Sequence, residues 1–141
     1  MQMNAYLSFS GDCEAAFKFY AECLDGKIGE IFRYAATPLA EQVPANWRNK
    51  VMHGSLAIGE HVLMGGDVAP DRYEKPSGFS LSLQMKSTTQ AERIFDVLAK
   101  DGTVVMPLEK TFWAARFGML VDRFGIPWLI NCDGSDQPPE V

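Results

Sequence analysis

The stretch Phe112-Trp113-Ala114-Ala115-Arg116-Phe117-Gly118-Met119-Leu120-Val121-Asp122-Arg123-Phe124-Gly125-Ile126-Pro127-Trp128-Leu129-Ile130-Asn131 decides how the rest of the chain is read. Its middle, Asp122-Arg123-Phe124-Gly125, is a turn signal between two apolar runs, so a β-hairpin is expected whose arms carry Arg116 and Trp128. Upstream of it, Thr103 to Met106 reads as a short strand, reached from a helix that stops at Asp101-Gly102. That helix has a Ser or Thr of the Ser87-Thr88-Thr89 run at its cap and Ala91, Ile94, Phe95 and Leu98 on its buried face. Before it, Phe79, Leu81, Leu83 and Met85 alternate with Ser80, Ser82 and Gln84, the period of a strand.

The first half has the same order. Tyr6, Leu7 and Phe9 form a strand, and Asp12 stands where a helix N-cap belongs. Cys13, Ala16, Phe17, Tyr20 and Leu24 then recur at helical spacing until Asp25-Gly26. Lys27 to Tyr34 reads as a strand, Ala35 to Lys50 as a long loop with one helical turn, and Met52 to Ile58 and His61 to Met64 as two further strands joined at Gly59-Glu60. Gly65 to Gly78 reads as a linker. A shift of 76 places Leu7 on Leu83, Phe9 on Met85, Ala15 on Ala91 and Phe19 on Phe95, and a shift of 63 places Leu56 on Met119, Ile58 on Val121 and His53 on Arg116. One such unit covers only one face of its sheet, so two copies are expected together. The organisation is thus one domain, 1–141, made of two repeats, about 3–66 and 78–133, with a flexible tail at 134–141.

Composition narrows the function classes. A length of 141 residues with 47% hydrophobic and 22% charged residues leaves no room for a second independent domain. The net charge of −5, with 13 Lys and Arg in no dense run, argues against a nucleic-acid partner. Three cysteines without C-x-x-C spacing argue against a disulfide framework, and no stretch approaches the roughly 18 apolar residues of a membrane span. A cytoplasmic protein without nucleic-acid or membrane partners is the expectation.

The hairpin at Phe112 to Asn131 resembles the closing hairpin of the PhnB-like branch of the glyoxalase/bleomycin-resistance/dioxygenase superfamily, the vicinal-oxygen-chelate fold, and the resemblance runs through nearly the whole chain. The fold expected is therefore α+β: two βαβββ modules forming a curved mixed β-sheet with a cleft. A ferredoxin-like sandwich is the rival, and three strands after each helix favour the paired modules. Metal-using members hold a divalent ion with His and Glu near the starts of the first strand and the ends of the last strand of each unit. The matching positions here, around Asn4-Ala5, Leu63-Met64, Phe79 to Leu81 and Leu129-Ile130, hold no His, Asp, Glu or Cys. No metal ligands carry over, and no cofactor is expected. Some members of the branch carry a demethylubiquinone methyltransferase label, but no glycine-rich nucleotide loop in a parallel α/β context supports a methyl-donor site here.

The candidate site residues follow from side-chain chemistry. His53 and His61 are the two histidines, and the repeat sets His53 against Arg116, a titratable imidazole against a fixed planar cation. Together they suit an anionic or carbonyl-bearing ligand; alternatively His53 is an ordinary strand residue and Arg116 pairs with Asp122 or Glu109. Tyr6, Trp47, Phe79, Trp113 and Trp128 make either an aromatic pocket wall or core, with core favoured for Trp128 and a ligand or subunit contact for Trp47 and Trp113. Asp67 either orients a ligand at the cleft mouth or caps a turn.

Two functions fit. The first is a binding module taking a small, partly apolar or anionic molecule into an aromatic cleft without metal. The second is a glyoxalase-like lyase, isomerase or dioxygenase that uses a metal or His53 as general base, with Arg116 stabilising developing negative charge. Open sheet edges, exposed aromatic surface and the resemblance together imply a homodimer, with the Ala35 to Lys50 loop and Phe112-Trp113 as contacts.

Overall fold

The structure, a computed structural model, describes residues 1–136. It divides into two compact units, Met1–Glu74 and the residues from Lys75 on. The first contains β1 (Tyr6–Phe9), α1 (Cys13–Leu24), β2 (Lys27–Arg33), β3 (Val51–Ile58) and β4 (His61–Asp67). The second contains β5 (Leu81–Met85), α2 (Thr88–Ala99), β6 (Thr103–Glu109), β7 (Arg116–Val121) and β8 (Pro127–Cys132). Each unit is a βαβββ module with its own four-stranded mixed sheet, in the order β1-β4-β3-β2 and β5-β8-β7-β6. The fold class is α+β, of the glyoxalase type.

In each module the first strand pairs in parallel with the last, Leu7 against Gly65 and Leu83 against Ile130, and the other pairings are antiparallel. Parallel pairing needs a long crossover, which the helix and two intervening strands supply. The cores form where the helix lies on the sheet. Phe9, Phe17, Tyr20 and Leu56 are buried in the first module, and Leu98, Leu120, Trp128 and Ile130 in the second. Gly65 lets the first helix approach, because a Cβ there would stand 2.6 Å from the Leu7 carbonyl oxygen and 3.1 Å from the Phe17 ring.

Several boundaries differ from the sequence reading. β4 continues through Gly65, Gly66 and Asp67, since β1 pairs with all three. β6 extends through Pro107 to Glu109, tolerated because it is an edge strand with two register shifts. Phe79 lies outside β5. The Ala35 to Lys50 loop holds most of three short 3₁₀ turns, Tyr34–Ala36, Ala40–Gln42 and Ala45–Trp47. At the expected tail, Ser135 N–H donates to Asp133 and Asp136 N–H to the Lys86 carbonyl, while 137–141 lie outside the described residues.

The internal repeat is also one residue off. Gly65 faces Gly54 and Ile130 faces Gly118, so Gly54 corresponds to Gly118, Met52 to Arg116 and His53 to Phe117. The helices correct likewise: Ala16 and Tyr20, not Ala15 and Phe19, correspond to the buried Ala91 and Phe95, while Ala15 is exposed. A slip of one residue exchanges the faces of a strand, so the expected pairing of His53 with Arg116 fails.

Candidate functional site

The first sheet has one face under α1 and one without a helix. Tyr6 shares the uncovered face with Met64 and Ser55, and His53 shares it with Phe32, by their cross-strand pairing. The His53 ring stacks on Tyr6 at 5.7 Å and 27° and on Phe32 at 6.4 Å and 28°. Tyr6 is 52% and Phe32 45% exposed, so the imidazole sits between two rings that are open to solvent. Gly66 makes room for this row: a Cβ there would stand 2.4 Å from the Met52 carbonyl oxygen and 3.1 Å from the Tyr6 hydroxyl. The hydroxyl donates to that same carbonyl at 3.4 Å. Desolvation, then the neighbouring Cys13 and Tyr34, raises the Tyr6 pKa, which keeps the phenol a donor. His61 pairs with Ile58, on the helix side of the sheet, so the two histidines point to opposite faces.

Asp67 does not reach a ligand surface. Buried at 2% exposure, its Oδ1 accepts from the Gly11 and Cys13 N–H groups and its Oδ2 from Val51 N–H, each at 2.9 Å. It thus caps α1 from the opposite end of the module; Asp12, at the N-cap position, makes no side-chain capping bond. The Tyr34 hydroxyl donates to the Asp67 carbonyl at 2.6 Å, and burial first, then the Asp67 charge, raises the Tyr34 pKa. A helix N-terminus ordinarily activates a thiol. Here desolvation, then the carboxylates of Asp67, Asp12 and Glu14, pushes the Cys13 pKa far up, which favours the neutral thiol at this buried position.

The other expected site residues scatter. Arg116 lies on the helix side of the second sheet, where its Nε donates to Glu92 Oε1 at 3.1 Å, and not to Asp122 or Glu109. Trp128 is core, 1% exposed, its Nε1 donating to Asp122 Oδ2 at 2.9 Å. Trp47 is buried over Gly11 with Lys50 5.9 Å from its ring centroid, which makes it packing for the long loop and not an open wall. Phe79 and Trp113 are half-exposed. Trp113 meets Phe112 at 4.8 Å and Phe117 at 5.2 Å, edge to face in both cases.

A row on the second sheet was not singled out from sequence, although the alternation of Ser82 and Gln84 with leucines signalled it. Gln84, Asn131, Phe117 and Glu109 are successive cross-strand partners on β5, β8, β7 and β6. Asn131 Nδ2 donates to Gln84 Oε1 at 3.0 Å, and Gln84 Nε2 to Ser82 Oγ at 2.8 Å. Elsewhere, a depression of about 360 Å³ is lined by Asn4, Glu60, His61 and Val62 among others; Tyr6, His53, Asp67, Arg116 and the three tryptophans are not part of it. Among the described residues no three His, Cys, Asp or Glu side chains could together hold a metal ion. Asn4, at one of the family's ligand positions, donates its Nδ2 to the Val62 carbonyl instead, so the divalent ion of the metal-using members does not fit these residues. No helix among the described residues is long and apolar enough to cross a membrane.

Two βαβββ modules, each with a helix-free sheet face, define a class, and the chain belongs to the Glyoxalase/Bleomycin resistance protein/Dioxygenase superfamily, whose family model matches residues 2–130. Within it the chain falls in the PhnB-like branch. It is 33% identical over 140 residues to Protein YjdN of Escherichia coli (strain K12), covering 93% of this chain and 95% of that one. Among solved structures it resembles protein PA1353 from Pseudomonas aeruginosa, with a TM-score of 0.85 and 42% identity over 94% of this chain and 98% of that one. The PhnB protein from Bacillus cereus is similar at a TM-score of 0.81 and 25% identity, over 94% and 99% of the two chains.

Proposed function

We propose that the protein binds a small, partly apolar molecule on the open face of its first sheet, against the stacked rings of Tyr6, His53 and Phe32, held by side chains alone. The carrying observation is that stack: three near-parallel rings, the outer two about half-exposed, on a face without a helix. Aromatic surface with few polar groups favours ligands of this kind. An anionic ligand has less support, because Arg116 is engaged by Glu92 and His53 alone remains of the expected pair. Three free, buried cysteines suit a reducing compartment such as the cytoplasm.

Mass spectrometry of small molecules co-purified with the native protein provides the ligand. His53→Ala and Tyr6→Leu are each expected to weaken its binding by about tenfold, the scale of one lost ring contact plus buried area. Unchanged affinity in both variants would remove the reading. The second reading, a general base at His53, is favoured by its being the histidine on the open face. Turnover of dicarbonyl thiol adducts that disappears in His53→Ala would establish it in place of simple binding.

The assembly proposed is a twofold homodimer burying more than about 1,000 Å² in total. Phe112 at 97% and Trp113 at 52% exposure support it, as do β2 and β6 standing at the ends of their sheets. Light scattering at micromolar concentration is expected to give twice the chain mass. The monomer mass, persisting on concentration, would defeat the dimer, whereas unchanged dimer affinity in Trp113→Ala would remove only Trp113 from its interface.

A further inference from the structure

We infer that the protein has a site for a soft monovalent metal ion of the Cu(I) or Ag(I) class, formed by Met3 and His61 in the depression beside the start of β4. β1 and β4 pair in parallel with a constant offset, from Tyr6 beside Met64 to Phe9 beside Asp67. The chain ahead of β1 keeps that offset, since the Ala5 carbonyl accepts from Met64 N–H at 3.1 Å and Asn4 Nδ2 donates to the Val62 carbonyl at 3.0 Å. The same offset sets Met3 beside His61 and Gln2 beside Glu60, at the strand spacing of about 5 Å. All four residues line the depression of about 360 Å³. By the alternation of a strand, Met3 and His61 take the side on which Phe9 meets Phe17 of α1, opposite the Tyr6–His53 stack.

The fold leaves both donors open. Met3 is 94% exposed, so its thioether fills no core space, and the exposed His61 ring makes no hydrogen bond or ion pair among the described residues. A thioether and an imidazole nitrogen are uncharged, soft to borderline donors. They do not suit Mg²⁺ or Ca²⁺, which take several oxygens, and they do suit a d¹⁰ ion held by two or three ligands. Met1 brings a second exposed thioether about 7 Å along the chain, on an unbranched side chain with three rotatable bonds. Glu60, also without an ion pair among the described residues, sets a negative charge beside the cation. The site shares no residue with the family's ligand positions around Asn4-Ala5 and Leu63-Met64, and it does not depend on the proposal for Tyr6, His53 and Phe32.

Silver(I) is the probe, because it keeps its oxidation state in buffer. It is titrated as the nitrate, without chloride, into the full chain carrying no added histidines and labelled with ¹³C at the methionine methyl groups. The Met3 methyl and His61 ring signals are expected to shift together and to saturate at one equivalent, while Mg²⁺ leaves them in place. Met3→Leu and His61→Ala, both at exposed positions, should each weaken binding by at least about tenfold, read on the signal of the remaining partner. The three cysteines, at 4% exposure or less, are competing soft donors. Silver that binds while the Met3 methyl stays fixed would place the metal on them or elsewhere and overturn the assignment. Unchanged affinity in either variant, or Mg²⁺ moving the same signals, would overturn it as well.

Discussion

Replacing Asp67 by alanine is expected to destabilise the protein by about 3–5 kcal/mol, the largest effect of any single polar substitution in the first module. Three backbone N–H groups, from Gly11, Cys13 and Val51, lose their acceptor, and the Cys13 and Val51 donors sit in surroundings that water does not reach. The three donors come from the turn before α1, the first turn of that helix and the start of β3, so one side chain joins segments distant in sequence. Asp67→Asn should cost less than Asp67→Ala. Its oxygen can still serve Gly11 and Cys13, but its amide nitrogen then faces the Val51 N–H, donor against donor. The order wild type, Asn, Ala in urea-denaturation midpoints checks this, with a fall in Tm of roughly 10–15 °C for Ala. An Asp67→Ala protein within about 1 kcal/mol of wild type would show that the carboxylate is dispensable. Because the Asp67 carboxylate is buried and taken up by backbone N–H groups, a ligand-binding defect in a still-folded Asp67→Asn protein would likewise count against its purely structural role.

Asp122→Ala is expected to cost about 3–4 kcal/mol in the second module by the same physics in a different geometry. One oxygen accepts from Phe124 N–H at 2.8 Å and Ile126 N–H at 3.0 Å, holding the turn between β7 and β8, and the other accepts from the buried Trp128 indole. Removing the carboxylate strands an indole N–H in the core and loosens the turn that sets the register of the hairpin. Here a double-mutant cycle separates the two losses. Trp128→Phe removes the donor, so Asp122→Asn should cost about 1–2 kcal/mol less in a Trp128→Phe background than in wild type. No coupling in that cycle would mean that the indole bond contributes nothing net and that Asp122 acts on the turn alone.

Much of the fold was legible in the sequence. The Asp122 to Gly125 turn, the helical stripes and the two copies of strand, helix and three strands are local signals of period and breaker residues, and local signals survive folding. Strand ends were read less well. Gly65, Gly66 and Asp67 look like a linker because glycine is a breaker in isolation, yet β1 pairs with all three, and Gly65 and Gly66 are small because Phe17 and Tyr6 pass over them. The candidate site was legible only in part. Tyr6 and His53 were named from their chemistry and do meet, ring to ring, whereas Phe32 and the Gln84 to Glu109 row became visible only through cross-strand pairing.

By itself the sequence determined the βαβββ repeat, the two apolar helix faces and a donor-poor set of residues where metal-using relatives hold an ion, because these depend on residue type and short-range spacing. Tertiary structure alone decided which face each strand residue takes. A register differing by one residue moved Arg116 from the expected place opposite His53 to the helix side, against Glu92, and put Phe117 in its stead. Tertiary contacts also turned Asp67 inward, where it accepts from buried backbone donors. The side-chain period of a strand is two, so that choice rests on how β7 pairs with β8 and β6, a matter of long-range hydrogen bonds that no local pattern encodes.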